Sequence, residues 1–132
     1  MGRTRPVAKH KAADYLSRSK ELSNAMHHCL STKEYNSAMV NAIHCAISAT
    51  DAVCVHFLGL RPAGESHMEA LAILSTIEGE DVKNACRQLK RLLEVKSAAE
   101  YGEYLFDESD AGNAVRDAER VLSFAKSKIG SA

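Results

Sequence analysis

One long stretch without proline, residues 35–60, restricts what this chain can fold into more than any other feature. Its first glycine is Gly59, so about 24 residues are predicted to form one uninterrupted α-helix. Apolar residues recur along one side of this helix, with alanines at the centre, which predicts a core face that a neighbouring helix can approach closely. This core face comprises Tyr35, Ala38, Met39, Ala42, Ala46, Ala49, Val53, Phe57 and Leu60.

The opposite side of the helix, its second face, has no Lys, Arg or Glu between Glu34 and Arg61, although a solvated helix face is normally rich in them. A helix that is apolar or weakly polar all round is covered on both sides. The cover is either another helix of the same bundle or a second copy of the chain. We favour the second copy, because symmetric dimers are the commonest oligomers. The second face comprises Val40, Asn41, His44, Ile47, Ser48, Asp51, Val55 and Leu58.

Helical spacing of apolar residues predicts four further helices, at about residues 7–30, 68–74, 82–101 and 109–128. Ser31 and Glu34 have the spacing of a capping box and predict the start of the central helix. No segment alternates polar and apolar residues over a useful length, so we expect no sheet. The sequence thus predicts an all-α, up-and-down bundle of about five helices, forming a dimer. Residues 1–6 are expected to be a frayed basic arm and residues 7–132 the bundle domain.

Composition narrows the function and the location of the chain. Seventeen basic residues balance seventeen acidic ones, so overall charge does not favour nucleic-acid binding, and any such contact is expected to be local. The four cysteines form no CxxC pair and are expected to be reduced, in a cytoplasmic protein. We expect no signal peptide, no membrane span, no metal site and no cofactor.

Lys96 falls on the apolar line of the predicted fourth helix, where an unpaired ion costs several kcal/mol. Either that face has opened to solvent or the lysine meets a carboxylate. On the central helix, His44, Ser48 and Asp51 are spaced i, i+4, i+7 and share one strip. We therefore expect an ion pair between Asp51 and Lys96, which either fixes the register of a dimer or bundle or belongs to a functional cleft.

The order of the helices, the alanine-rich segment AIHCAISATDAV, the loop RPAGESHMEAL and the segment LKRLLEVKSAAEYG resemble the HEPN domain family (higher eukaryotes and prokaryotes nucleotide-binding). The segment KSAAEY, residues 96–101, is similar to the Arg-x-x-Ala-Asp-Tyr pattern of one branch of the family. Lys96 stands in place of the arginine, Glu100 of the aspartate and Tyr101 of the histidine found in many HEPN ribonucleases. The chain has no histidine after Lys96.

The resemblance implies a dimer cleft, beside the central helix, that binds RNA or a nucleotide. It also implies a toxin–antitoxin or defence-type system with a minimal nucleotidyltransferase as partner protein. In the family, His and Arg from two protomers cut RNA without metal, using the ribose 2′-hydroxyl as nucleophile. Without that histidine the motif is degenerate, and a lysine lacks the bidentate fork with which arginine holds a phosphate.

Three functions remain open from the sequence, and the first, a dimeric RNA- or nucleotide-binding module without enzymatic activity, is preferred. The second is a metal-independent endoribonuclease with a rebuilt site, whose catalytic candidates are Lys96, Tyr101 and His44. The third is a purely structural helical dimer or partner-binding protein. The candidate residues that line the cleft or bind a ligand are Asp51, Ser48, Glu100, Arg61 and His67.

Overall fold

The computed structural model describes residues 4–62, 68–102 and 104–130. Within these ranges the chain is a helical bundle with one small sheet, so the predicted all-α fold class is confirmed. A 3-10 turn, Lys9–Lys11, precedes the first helix. The helices are α1 (Ala12–Ser31), α2 (Tyr35–Leu58), α3 (Met68–Leu74), α4 (Glu80–Glu94), α5 (Lys96–Tyr101) and α6 (Glu108–Gly130), and the strands are β1 (Thr4–Pro6) and β2 (Leu60–Pro62).

Helix α2 lies at the centre of the bundle, packed between α1 and α6, and has the predicted length of 24 residues. Its small core residues Ala42, Ala46 and Ala49 are fully buried, which allows the neighbouring helices to approach closely. On the side of α1, the buried Ser19 Oγ donates a hydrogen bond of 2.7 Å to the Cys45 carbonyl. The alanine-rich sequence therefore sets the close packing of the central helix.

Helix α2 is long and apolar enough to cross a membrane, contrary to the sequence-based expectation. However, 78% of the most apolar 18-residue segment of α2 is buried inside the fold. Burial of this kind is typical of a core helix, since the apolar residues already contact other parts of the chain.

The second face of α2 is covered in part by this chain itself. Ser48, Asp51 and Val55 are buried within the single chain, which therefore covers them without a second copy. The remaining residues of the face are half-buried, and a second copy stays a prediction for them alone; they are Val40, Asn41, His44, Ile47 and Leu58.

The turn between α1 and α2 differs from the predicted capping box. Ser31 is the last residue of α1, and Lys33 adopts the left-handed conformation with φ 64°. The backbone N–H groups of Glu34 and Lys33 donate to the carbonyls of Cys29 and Leu30, at 2.8 and 3.2 Å. These two bonds form a Schellman motif, so the turn ends α1 and supplies no side-chain cap for α2.

Strands β1 and β2 form a two-stranded antiparallel ribbon in which Arg5 lies opposite Arg61. The expectations of no sheet and of a frayed arm are therefore wrong for residues 4–6, while residues 1–3 lie outside the described ranges. A ribbon of three residues per strand is too short to produce a visible alternation in the sequence. It brings both arginines to the same side of the bundle, because directly opposite residues point to the same face.

The predicted fourth helix is two helices, α4 and α5, separated by Val95. Val95 has φ −104° and ψ 2°, outside the helical region, although neither glycine nor proline is present there. The break changes the direction in which Lys96 projects. A helix predicted from spacing alone is continuous across this point, which explains the error.

We expect Gly59→Ala to lower the free energy of unfolding by about 1 kcal/mol. Gly59 ends α2 in the left-handed conformation, with φ 66°, and an added Cβ would meet Lys9 and Val7 only at ordinary contact distances. The expected loss is therefore conformational. Gly112→Ala is the matched control, because it lies inside α6 with open space around it and should stabilise the protein by about 0.5–1 kcal/mol. Urea unfolding measures both, and equal shifts for the two variants would contradict this account.

Candidate functional site

A cavity of about 270 Å³ opens on the second face of α2. It is bounded by α1, α2, β2, α3, α4 and the first residue of α5. The cavity contains three of the residues predicted to line a cleft or bind a ligand, Ser48, Asp51 and Arg61, together with two of the predicted catalytic candidates, His44 and Lys96. Its lining consists of Arg18, His44, Ile47, Ser48, Asp51, Arg61, Pro62, Ala70, Leu93 and Lys96.

Asp51 lies at one end of this cavity, with 4% of its surface exposed. Its carboxylate pairs with Arg61, whose Nη2 is 3.4 Å from Asp51 Oδ2. Lys96 pairs with Glu100 instead, so the predicted ion pair between Asp51 and Lys96 is wrong, although both residues line the same cavity. The β ribbon explains the difference, because it places Arg61 against the central helix.

Burial raises the pKa of Asp51 from 3.8 to about 6. The nearby positive charges of Arg61, Arg18 and Arg5 oppose this rise but do not cancel it. Asp51 is thus a carboxyl group whose charge changes close to neutral pH. Such groups are concentrated at functional sites, although ion pairs within a core can also have shifted pKa values.

The guanidinium of Arg61 lies over the ring of Tyr15 on α1, with Cζ 5.3 Å from the ring centroid. Its Nη1 is also 3.5 Å from the Tyr15 hydroxyl, a long contact. Stacking on an aromatic face holds the plane of an arginine while leaving the edge of its fork available. Arg61 is therefore oriented by α1 and only weakly bound to Asp51.

At the other end of the cavity, Glu100 links His44 and Lys96. Lys96 Nζ lies 2.7 Å from the Glu100 carboxylate, and His44 Nε2 lies 2.9 Å from Glu100 Oε1. The hydrogen bond from Lys96 lowers the pKa of Glu100, and the hydrogen bond that Glu100 accepts from His44 adds to the effect. Lys96 is only 8% exposed, so the sequence-based alternative in which it meets a carboxylate is the correct one.

His44 and Lys96 could act on a phosphate in different ways. A lysine provides a compact positive charge, and an imidazole offers a ring nitrogen that can form a hydrogen bond to a phosphate oxygen. Since Nε2 of His44 is bound to Glu100, a hydrogen bond to a ligand would use Nδ1. The arrangement thus offers one ammonium group and one carboxylate-oriented imidazole.

The structure separates the remaining predicted residues from this cavity or leaves them undescribed. Tyr101 is 74% exposed and lies outside the lining. His67 lies outside the described residues. Sequence reasoning missed Arg18 and Tyr15, which are spaced i, i+3 on α1; that shared face was the available signal.

Two other classes of site find little support in the described ranges. Within them, no group of three or more His, Cys, Asp and Glu side chains is arranged to hold a metal ion. All four cysteines are free, and burial raises the pKa of Cys54 to about 12, which disfavours a reactive thiolate. The cavity on α2 therefore remains the strongest candidate.

Comparison with known proteins agrees with this fold. A family model described as HEPN domain matches residues 12–128. No curated protein matches the sequence. The fold is similar to the crystal structure of TT1696 from Thermus thermophilus, with a TM-score of 0.73 and 16% sequence identity, over 89% of this chain and 98% of that one. At this identity the similarity concerns the fold alone.

Proposed function

The chain belongs to the HEPN domain family, and on that premise we propose that it is a binding module for RNA or for a nucleotide. The ligand would occupy the cavity on α2. The observation that carries this proposal is a local excess of positive charge in a chain of zero net charge. Arg18, Arg61 and Lys96 line the cavity, against Asp51 and the neighbouring Glu100.

A positively charged cavity favours a ligand with phosphate groups. Arginine forks and the lysine ammonium group form charge-assisted hydrogen bonds to phosphate oxygens. Because the positive charge is confined to one cavity, the attraction is local and does not depend on overall charge. This distribution distinguishes the proposed site from a diffuse basic surface.

The family motif supports binding more than cleavage. Lys96, in place of the arginine, is already paired with Glu100. Tyr101, in place of the histidine, is exposed and outside the cavity. Lys96 lines the cavity as a paired cation and Tyr101 lies outside it, so neither replaces the histidine as a proton-transfer group, and we place binding before catalysis.

We also propose a cytoplasmic homodimer that belongs to a toxin–antitoxin or defence-type system with a nucleotidyltransferase partner. Family membership supports this setting. The half-buried part of the second face of α2 lies on the outside of the single chain, and exposed apolar side chains follow on α5 and the loop after it. Apolar surface of this kind favours association. It comprises Val40, Ile47, Tyr101, Tyr104 and Leu105.

Titration of the protein into a fluorescent single-stranded RNA, with anisotropy as the readout, tests the binding function. We expect saturable binding that weakens as salt rises, because phosphate contacts release counterions. The slope of log affinity against log salt concentration should correspond to roughly two or three phosphate contacts. If a nucleotide is the ligand, it should raise the melting temperature of the protein without being consumed. A purely structural dimer would respond to neither, and that outcome would exclude the proposal.

A metal-independent endoribonuclease is the second candidate, favoured by the hydrogen bond between His44 and Glu100. A carboxylate that orients an imidazole is a common arrangement for acid–base catalysis. Such an enzyme should cleave single-stranded RNA in EDTA and leave 2′,3′-cyclic phosphate ends. Cleavage should disappear in His44→Gln. Persistence in that variant would assign the activity to another residue or to a contaminant.

A further inference from the structure

Three arginines from three different elements lie close enough to Asp51 for their charges to act on it. Arg18 on α1 and Arg61 on β2 line the cavity, and Arg5 on β1 lies directly opposite Arg61 across the ribbon. The charges of all three favour the ionised form of Asp51. We call this group, Arg5, Arg18 and Arg61 around Asp51, the arginine end of the cavity.

The arginine end carries more positive charge than Asp51 can offset. Like charges directly opposite each other on paired strands are destabilising, and Arg5 and Arg61 are such a pair. The contact between Arg61 and Asp51 is long, at 3.4 Å. Among the described residues, the buried Nε of Arg61 has no hydrogen-bond partner. The positive charge of the arginine end and the unpartnered donor of Arg61 are both features of a site that binds an anion.

We infer that the arginine end binds a terminal phosphate group of the ligand, which replaces Asp51 as the partner of Arg61 while Asp51 takes up a proton from solvent. This inference rests on the proposed function and assigns an orientation to the ligand. The exchange leaves Asp51 neutral and Arg61 bound to a phosphate. No covalent bond forms or breaks.

Charge and size favour a terminal phosphate over a phosphate inside a strand. A phosphomonoester carries a charge of about −1.5 to −2 and three terminal oxygens, which suits several guanidinium groups better than a singly charged diester does. The cavity of about 270 Å³ is small, so an RNA strand would place one end in it rather than its whole length. His44 lies two helical turns from Asp51, about 10 Å along α2. A nucleoside attached to the phosphate would therefore extend towards His44 and Lys96.

Proton uptake follows from the groups that face Asp51. The charges of Arg61, Arg18 and Arg5 act on it, Tyr15 lies under Arg61, and Cys54 is close enough for the charge of Asp51 to raise its pKa. His44 and Lys96, which are linked by Glu100, line the far end of the cavity. Once Arg61 turns to the phosphate, Asp51 loses its main positive neighbour and gains a negative one. At about pH 7, one unit above its pKa of about 6, neutralising Asp51 lowers the affinity about tenfold.

Calorimetric titration with adenosine 5′-monophosphate, in two buffers of different ionisation enthalpy at about pH 7, tests the inference. The phosphate is mostly a dianion at this pH, so it releases rather than gains protons on binding to arginines. We expect the wild-type protein to take up a substantial fraction of one proton and to bind adenosine at least about tenfold more weakly. Asp51→Asn should bind the monophosphate about tenfold more tightly without proton uptake.

Three further variants separate the contributions of Arg61 and His44 to monophosphate binding from the effect of removing an unrelated carboxylate. Arg61→Lys should weaken binding by about tenfold or more, because the fork is lost. His44→Gln should retain proton uptake, since Asp51 is the group that titrates. Asp117→Asn is the matched control, because Asp117 also pairs with an arginine, Arg91, but lies outside the cavity; it should bind as the wild type does.

Several outcomes would overturn the inference. Equal affinity for adenosine and its monophosphate excludes a phosphate site, and proton uptake that persists in Asp51→Asn excludes the exchange. If RNA binding depends on Lys96 while monophosphate binding is unchanged in Arg61→Lys and Asp51→Asn, the inference fails and the proposed function stands. If neither RNA nor the monophosphate binds, both fail.

Discussion

Asp51→Asn is expected to increase the free energy of unfolding by about 3 kcal/mol at pH 7, a large gain for one substitution. Burial raises the pKa of Asp51 from 3.8 to about 6, a difference of roughly two units, each worth about 1.4 kcal/mol. Above its folded pKa, the carboxylate is ionised in the folded protein at a net loss of stability. Asparagine has nearly the same shape and is never ionised.

The pH dependence has a definite sign. Between about pH 4 and 6 the unfolded chain has lost the Asp51 proton while the folded chain retains it, so the folded state binds more protons. The contribution of Asp51 to stability therefore falls as pH rises through this window and is constant above it. The gain in Asp51→Asn should be near zero below about pH 4 and complete above about pH 6.

Urea unfolding of both proteins across this pH range measures the effect. Asp117→Asn provides a control of opposite sign, because Asp117 accepts two hydrogen bonds from Arg91, at 2.7 and 3.0 Å. It should lose about 1 kcal/mol, since Arg91 is largely exposed. A lower stability of Asp51→Asn than of the wild type at pH 7 would show that the pair with Arg61 is net favourable. Asp51 would then not be a residue kept at the expense of stability.

Lys96→Met should reduce the affinity for single-stranded RNA by about 10- to 100-fold at low salt. A charge-assisted hydrogen bond to phosphate is worth about 1.5–3 kcal/mol, and methionine retains the apolar stem without the charge. Glu100 keeps His44 as a partner in this variant, so the fold should survive. Circular dichroism and the melting temperature would verify this.

Lys90→Met is the matched control for that measurement. Lys90 is exposed on α4 and lies outside the cavity, so its loss removes one positive charge without touching the proposed site. Its affinity should stay within about threefold of the wild type, the effect of one distant surface charge. Equal losses in the two variants would indicate diffuse electrostatic binding, and no loss in Lys96→Met would place the ligand elsewhere.

The sequence predicts those helices whose boundaries have a local cause. Absence of proline and a glycine at position 59 define α2, and α3 has the predicted bounds, Met68–Leu74. The errors lie where the cause is a contact distant in sequence or a backbone angle. The ribbon depends on the pairing of residues 4–6 with residues 60–62, which are distant in sequence. The break at Val95 depends on a backbone conformation that valine does not require.

The site could be predicted in part for the same reason. His44, Ser48 and Asp51 lie on one strip of α2 because helical spacing fixes their relative direction. The pairing of the charges could not be predicted, because the ribbon places Arg61, and not Lys96, beside Asp51. Arg18 was missed because periodicity identifies an apolar face of α1 but does not reveal what its flank approaches in the fold.

The separation of α5 from α4 has a consequence for how the cavity opens. Helix α5 has only six residues, lies between Val95 and Gly102, and is joined to α2 partly through the hydrogen bond between Glu100 and His44. A single short turn of helix can unfold locally at a small fraction of the free energy needed to unfold the domain. We therefore expect α5, on the lysine side of the cavity, to open locally more often than the long helices do.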